Sequence, residues 1–341
     1  MDVPPLTVKR ALILLMLAVS AASCRGSDGV SIIRTSDGKV VGRDSPKGEY
    51  RDMVLGCDEA TGKLAIIEWG QHKSTIKIFD VTAGIFKKHT VPVGRLNGID
   101  GAEYYDFASD EYVCHDRQGI HFFGKTSQQR DVANPLPAGY CSGTMVGCRD
   151  GLLILCGNAV GDYRGAVVYR YLQPAGSVKA IYRTSEGVRK LSAEGDSAII
   201  VEDIQADYKS RQLVRIDLDG KVLSRATMPM HTADGIKVAN GTLYEVYGDG
   251  ACHLRQASLD RGTVLREIQF AGVSGDITRF DVKGDVLVVG ERMSRDNSRG
   301  LSATILDVQT QQVRKRFQDQ WAWSDVMLMK FNGEVYCILS N

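Results

Sequence analysis

The sequence predicts an all-β protein built from repeated four-stranded units, and three observations lead to this prediction. Short apolar runs, each followed by a glycine or a charged turn, recur along the chain with starts 41 to 49 residues apart. Helical periodicity is weak after the first 23 residues. Glycine is plentiful, at 36 residues, and proline is scarce, at 8, as expected where many tight turns join strands.

The seven runs share a high content of aliphatic and aromatic residues, and they are LAIIEWG from Leu64, EYVCHDR from Glu111, LLILCGN from Leu152, SAIIVED from Ser197, TLYEVYG from Thr242, DVLVVGE from Asp285 and EVYCILS from Glu334. Each is followed by a second strand and a tight Asp or Gly turn into a third, as in QLVRIDLDGKVLSRATM. A period near 45 residues is typical of WD-type repeats.

The two ends of the chain complete one unit between them. The last repeat supplies only DVMLMKF from Asp325 and EVYCILS from Glu334, whereas VSIIRTSDGKVVGRD from Val30 supplies two strands with no inner pair before them. Pairing them closes a ring and hides sheet edges that an open array exposes. The sequence therefore predicts a seven-bladed β-propeller, closed by pairing the N-terminal strands with the C-terminal blade.

The N-terminal segment has the pattern of a secretory signal. Lys9 and Arg10 precede an apolar run, and Ala21-Ala22-Ser23-Cys24 resembles the lipobox of bacterial lipoproteins, in which the cysteine is acylated. We expect a signal peptide at 1–23, a lipidated tether at 24–28 and a single propeller domain at 29–341. Simple cleavage and a retained anchor are the alternatives.

With its repeats and its lipobox, the chain resembles bacterial β-propeller lipoproteins, and YVTN, WD and quinoprotein-like propellers in general. The resemblance rests on the repeat pattern and identifies no single family. It implies a lipid-anchored protein of the bacterial cell envelope, with the outer membrane favoured because Arg25, not Asp, follows Cys24.

Charge and cysteine content narrow the functional classes. Without residues 1–23 the chain holds 40 basic and 40 acidic residues, and this balance argues against nucleic acid as a partner. Seven cysteines remain besides Cys24, an odd number without a CxxC pair, which fits small buried side chains better than a disulfide framework.

Five of the seven predicted blades have an aspartate where the first strand begins, at the mouth of the central channel. They are Asp52, Asp106, Asp234, Asp276 and Asp325. A ring of carboxylates is suited to a divalent cation, with calcium as the possible ion, or to a cationic ligand. The alternative is that each aspartate caps its own turn.

Aromatic residues stand two positions before three of these entries, and a fourth lies at the entry of the third blade. Tyr50, Tyr104, Tyr140 and Trp323 belong to consecutive blades and are predicted to form an arc that binds a small polar or aromatic ligand. Packing between blades is the alternative.

Two long loops between second and third strands carry matching residues. Tyr163 and Arg164 on one blade, and Tyr208 and Lys209 on the next, are candidates for binding a partner protein of the envelope. Solvated hairpin tips explain the same pattern.

Catalytic motifs are absent from the sequence. There is no nucleophile elbow, phosphate loop or HExxH, and His115 with His121 offers at most a pair of metal ligands across one turn. The predicted function is a non-catalytic, membrane-tethered module that binds a ligand or a protein at its channel mouth. The alternative is a metal-dependent hydrolase of the lactonase or esterase type that uses the channel carboxylates.

Overall fold

The computed structural model describes residues 29–44, 52–93, 103–115, 119–124, 129–133, 140–158, 165–173, 176–204, 210–229, 231, 235–273, 277–295, 298–318 and 325–340. Within these ranges the chain forms 28 strands in seven four-stranded antiparallel sheets. Each sheet is one blade, and the predicted seven-bladed β-propeller is confirmed.

The first three blades run consecutively along the chain. Their strands are β3 (Asp52–Asp58), β4 (Lys63–Glu68), β5 (Ser74–Asp80) and β6 (Ile85–Val91) in blade one; β7 (Glu103–Asp106), β8 (Glu111–His115), β9 (Gly119–Gly124) and β10 (Gln129–Ala133) in blade two; β11 (Tyr140–Cys148), β12 (Gly151–Asn158), β13 (Ala166–Leu172) and β14 (Ser177–Thr184) in blade three.

Blades four to six follow the same order. Their strands are β15 (Val188–Glu194), β16 (Ser197–Asp203), β17 (Ser210–Asp217) and β18 (Val222–Pro229) in blade four; β19 (Ile236–Ala239), β20 (Thr242–Gly248), β21 (Cys252–Ser258) and β22 (Val264–Phe270) in blade five; β23 (Ile277–Lys283), β24 (Val286–Arg295), β25 (Ser298–Asp307) and β26 (Val313–Gln318) in blade six.

Blade seven joins the two ends of the chain, as the sequence predicts. Its inner strands are β27 (Asp325–Phe331) and β28 (Glu334–Ser340), and its outer strands are β1 (Val30–Arg34) and β2 (Val40–Asp44). The ring closes because β27 contacts β23 on one side and β3 on the other.

The core is divided into seven hydrophobic clusters, one at each interface between neighbouring blades. The alternation of side chains along each strand explains this division, since one face of a sheet packs on the preceding blade and the other on the following blade. In β16, for example, Ile200 packs toward blade three and Ile199 toward blade five. Every blade therefore depends on two neighbours.

Polar side chains also bridge neighbouring blades near the turns between third and fourth strands. Arg170 of blade three donates to the carbonyl of Leu218 in blade four at 3.0 Å. Lys315 of blade six donates to the carbonyl of Gly38 in blade seven at 3.3 Å, which ties the ring closure. These bonds give the two turn carbonyls a hydrogen-bond donor from the neighbouring blade.

Six cysteine side chains are described, and all six are free thiols: Cys57, Cys114, Cys148, Cys156, Cys252 and Cys337. Burial raises the pKa of Cys57 to about 11 and that of Cys252 to about 12, so both stay protonated and inert at neutral pH. From residue 29 onward, no helix among the described residues is long and apolar enough to cross a membrane.

Candidate functional site at the entrance face

The entrance face is the side of the ring on which the first strand of each blade begins. Asp52, Tyr140 and Asp325 are the first residues of β3, β11 and β27, so their backbones lie at this face. Their roles in ligand binding stay predictions. Asp325 pairs with Ser340, the last residue of β28, and Ser340 pairs in turn with Val30. The N-terminal strand β1 therefore also begins at the entrance face.

Several predicted site residues lie outside the described residues. These are Tyr50, Asp234, Asp276 and Trp323 of the channel mouth, Tyr163, Arg164, Tyr208 and Lys209 of the two long loops, and the lipidation residue Cys24. Their roles stay predictions.

Asp106 lies at the opposite face from the one predicted, because it ends β7 instead of beginning it. Its Oδ1 accepts the N–H of Ala108 at 2.9 Å and its Oδ2 accepts the hydroxyl of Ser109 at 2.9 Å. Asp58, which ends β3, binds Ala60 and Thr61 in the same way. Asp106 is thus a turn cap equivalent to Asp58, and it does not share a face with Asp52.

Tyr104 packs between blades two and three. It lies against the hydrophobic cluster of these blades, and its ring fills the space in front of Gly147 so closely that a β-carbon there would overlap it. Burial raises the pKa of its hydroxyl to about 12. The structure therefore gives Tyr104 the packing role that was the alternative to ligand binding.

His115 and His121 do not face each other across their turn. The register of β8 and β9 sets His115 opposite Ile120, and Cys114 opposite His121. The Nδ1 atom of His121 lies 2.8 Å from Oδ1 of Asp131 on the outer strand β10. Within the ranges described, no three His, Cys, Asp or Glu side chains come together as a metal site.

Charged residues on the first strands link the blades inside the ring. Lys237 of blade five contacts the buried carboxylate of Asp281 in blade six, and Asp281 also accepts the N–H of Leu328 in blade seven at 2.7 Å. Lys283 of blade six lies 2.8 Å from Glu59 of blade one. These carboxylates are occupied by cations and by N–H groups, so they hold the inner ring together.

Blade five carries a stack of three rings on the side facing blade four. The Tyr247 ring lies between His231 and His253, with centroid distances of 3.9 and 4.9 Å. Burial and the hydrogen bond to Glu267 raise the pKa of Tyr247 to about 12. Arg255 lies over the Tyr247 ring at 5.3 Å.

The same arginine ties this stack to the end of blade four. Arg255 pairs with the buried Glu245 at 3.2 Å and donates to the carbonyl of Pro229 at 3.1 Å. Period-two alternation of Glu245 with Tyr247, and of His253 with Arg255 in the next strand, is the sequence signal that could have found the cluster.

A second buried polar contact joins blades three and four. The hydroxyl of Tyr182 in β14 donates to Glu202 in β16 at 2.7 Å, and Arg225 donates to the same hydroxyl at 3.2 Å. Burial is the main reason that the pKa of Tyr182 rises to about 12, and the bond to Glu202 adds to it.

Between blades three and four a cleft of about 290 Å³ opens at the entrance face. Its apolar lining is formed by Leu155, Ala166 and Val188, and Arg189 and Asp203 supply its charged lining. Arg189 Nε donates to Asp203 at 2.8 Å. Asp203 ends β16 and Ala166 begins β13, so the cleft lies where the second strand of blade four ends and the third strand of blade three begins.

No protein-family model matches the chain, and no curated protein matches it. Among solved structures, an oligogalacturonate lyase from Vibrio parahaemolyticus is similar, with a TM-score of 0.59 and 8% identity over 92% of this chain and 98% of that one. An oligogalacturonate lyase in complex with manganese is similar, with a TM-score of 0.54 and 12% identity over 93% of this chain and 98% of that one.

A prolyl endopeptidase structure is also similar, with a TM-score of 0.54 and 14% identity. The match covers 82% of this chain but only 44% of that one, so the chain spans less than half the length of that protein. At these identities the likeness concerns the fold alone. The protein is a seven-bladed β-propeller of the general kind that its sequence resembles, without assignment to a specific family.

Proposed function

We propose that the protein is a non-catalytic binding or scaffolding propeller, tethered to a bacterial envelope membrane through a lipid on Cys24, which takes its partner at the entrance face. The observation that carries the proposal is that the entrance face has an open cleft, whereas the carboxylates described below already have partners within the protein. Asp106 caps a turn, and Asp281, Glu202 and Glu245 are held by cations, hydroxyls or N–H groups.

The position of β1 supports a role at the membrane. Val30, the first residue of β1, lies at the entrance face. Six peptide units separate it from Cys24. Such a segment reaches at most about 20 Å when fully extended. A lipid on Cys24 would therefore hold the blade-seven side of the entrance face near the bilayer, where a partner protein of the same membrane is within reach.

The lipid anchor is tested by growing cells with an alkyne analogue of palmitate and comparing the full chain with Cys24→Ala. We expect label and membrane association in the first and loss of both in the second. Ser23→Ala is the matched control, since it alters the neighbouring residue and retains the thiol. Equal membrane association of all three proteins would contradict the anchor.

The binding role is tested by recovering the lipidated protein from its native envelope after mild cross-linking. We expect one or more envelope proteins at a fixed ratio to the propeller, and the same proteins should be absent when Cys24→Ala is used. Recovery of the propeller alone from both strains would contradict a scaffolding role.

The hydrolase alternative makes a different prediction for thermal melting. A divalent cation held by the channel carboxylates would bind the native state only and would raise Tm. Under our proposal Tm is equal in calcium and in chelator to within about a degree. A rise of several degrees in calcium would favour the hydrolase.

A further inference from the structure

The cleft between blades three and four contains glycines that the fold itself does not require. Gly143 lies in β11 and Gly157 in β12, and neither has a positive φ. A β-carbon at Gly157 would meet nothing within 4 Å, and one at Gly143 would only touch the carbonyl of Leu155 at 4.0 Å. Larger residues would fit at both positions, so the missing side chains leave space at the cleft.

The two first strands beside the cleft each carry a bulge near their start, a feature that β3 and β23 share. The pairing of β11 with β12 shifts between Ser142 and Thr144, which leaves Gly143 unpaired. The pairing of β15 with β16 shifts between Val188 and Lys190, which leaves Arg189 unpaired. Bulges of this kind interrupt the hydrogen-bond ladder and release backbone groups, and glycine in a strand permits close approach of another backbone.

The charges near the cleft are balanced. Asp203 lies between the guanidinium groups of Arg189 and Arg211, with its oxygens 2.8 Å from the Nε atom of each, and Glu186 precedes Gly187 of the cleft lining. The Arg189 side chain is 46% exposed, so donors and an acceptor stand together at the rim. This arrangement suits the dipolar amides of a peptide better than a highly charged ligand.

We propose that the cleft binds an extended peptide segment of a partner protein, which places its main chain along Gly143 and Gly157 and a small aliphatic side chain against Leu155 and Val188. The inference rests on the proposed binding function and specifies its partner. The volume of about 290 Å³ is at the lower end of ordinary ligand sites, which limits the segment to one or two buried side chains.

The test uses the full chain and an array of 12-residue synthetic peptides of varied composition. We expect binding to peptides with small aliphatic residues at the centre, and a loss of roughly tenfold when one central amide is N-methylated, because the main chain is recognised. Selection of uniformly acidic or basic peptides would overturn the proposal, and so would insensitivity to N-methylation.

Gly157→Leu fills the cleft without backbone strain and is expected to reduce peptide binding by roughly tenfold or more. Gly124→Leu is the matched control, because it ends β9 outside the cleft, has no positive φ and meets only Glu111 at 3.9 Å. Thermal melting checks that both variants fold. Unchanged binding by a folded Gly157→Leu would overturn the proposal.

The envelope experiment separates this inference from the proposed function. If Gly157→Leu retains peptide binding and still recovers the envelope partner, the scaffold role stands and the cleft is not its site. If the unaltered protein recovers no partner, the proposed function itself fails.

Discussion

Val30, the first residue of β1, lies opposite Ser340 of β28 in an antiparallel pair, so the start and the end of the ring share one sheet. Four further pairs follow, ending with Arg34 opposite Tyr336. Because each blade is packed on two neighbours, this one sheet completes two interfaces. Loss of this strand pairing should therefore weaken the packing of blade seven on both of its neighbours.

Ile32→Ala tests the closure. Ile32 is fully buried in the cluster between blades seven and one, and removing its side chain should lower the free energy of unfolding by about 2–5 kcal/mol. Ile85→Ala is the control, since Ile85 is half exposed and should change stability by less than about 0.5 kcal/mol. Urea unfolding measures both, and similar midpoints for the two variants would contradict closure by β1.

Two lysines on the same carboxylate give a second test. Lys77 is buried and contacts Asp44 and Glu68, whereas Lys88 is 48% exposed and lies 3.1 Å from Asp44. Lys77→Met leaves two partly buried carboxylates without their main cation and should cost about 3–5 kcal/mol.

Lys88→Met should cost at most about 1 kcal/mol, because an exposed ion pair contributes little. Chemical denaturation at low and high salt distinguishes the pairs, since only the exposed one is screened. A small effect of Lys77→Met would show that water reaches Asp44 and Glu68.

The repeated blades and the closure of the ring could be predicted from the sequence, because the spacing and order of the apolar runs determine both. The position of Asp106 could not, because β7 has four residues where β3 has seven. EYYD and EYRD are alike in composition, but EYYD is itself the strand β7 and its Asp caps the turn that follows, whereas the Asp of EYRD begins β3.

The side-chain contacts between neighbouring blades could not be predicted from the sequence either. Tyr182 and Glu202 are 20 residues apart, on the last strand of one blade and the second strand of the next. Their meeting depends on which face of each strand is turned to the neighbour, and the bulge in β15 changes such alternation. The cleft depends on space left by glycines, which sequence patterns do not reveal.

Substitutions of Tyr104 test whether its ring packs between blades or binds a ligand. Because its ring lies in the interface of blades two and three, Tyr104→Ala should lower the free energy of unfolding by about 3 kcal/mol. Tyr104→Phe retains the ring and should change stability by less than about 1 kcal/mol. Unfolding curves measure both. A Tyr104→Ala variant as stable as the parent, but defective in ligand capture, would restore Tyr104 to the aromatic arc.

Tyr182 should contribute to the loss of folding stability at alkaline pH. Its pKa is about 12 in the folded protein against 10.0 in the unfolded chain, so the folded state holds the proton more tightly. The contribution is therefore complete below pH 10 and is lost as the pH rises through 12. Tyr182→Phe removes the hydroxyl bond to Glu202 and should cost about 1–3 kcal/mol at pH 8.

The same variant should then lose less stability between pH 8 and pH 11 than the parent does, because it no longer carries this titrating group. The reduction is partial, since Tyr104 and Tyr247 each have a pKa of about 12 as well. Urea midpoints measured across this range test the expectation. A variant whose stability falls as steeply as that of the parent would mean that the Tyr182 hydroxyl does not retain its proton through burial and the bond to Glu202.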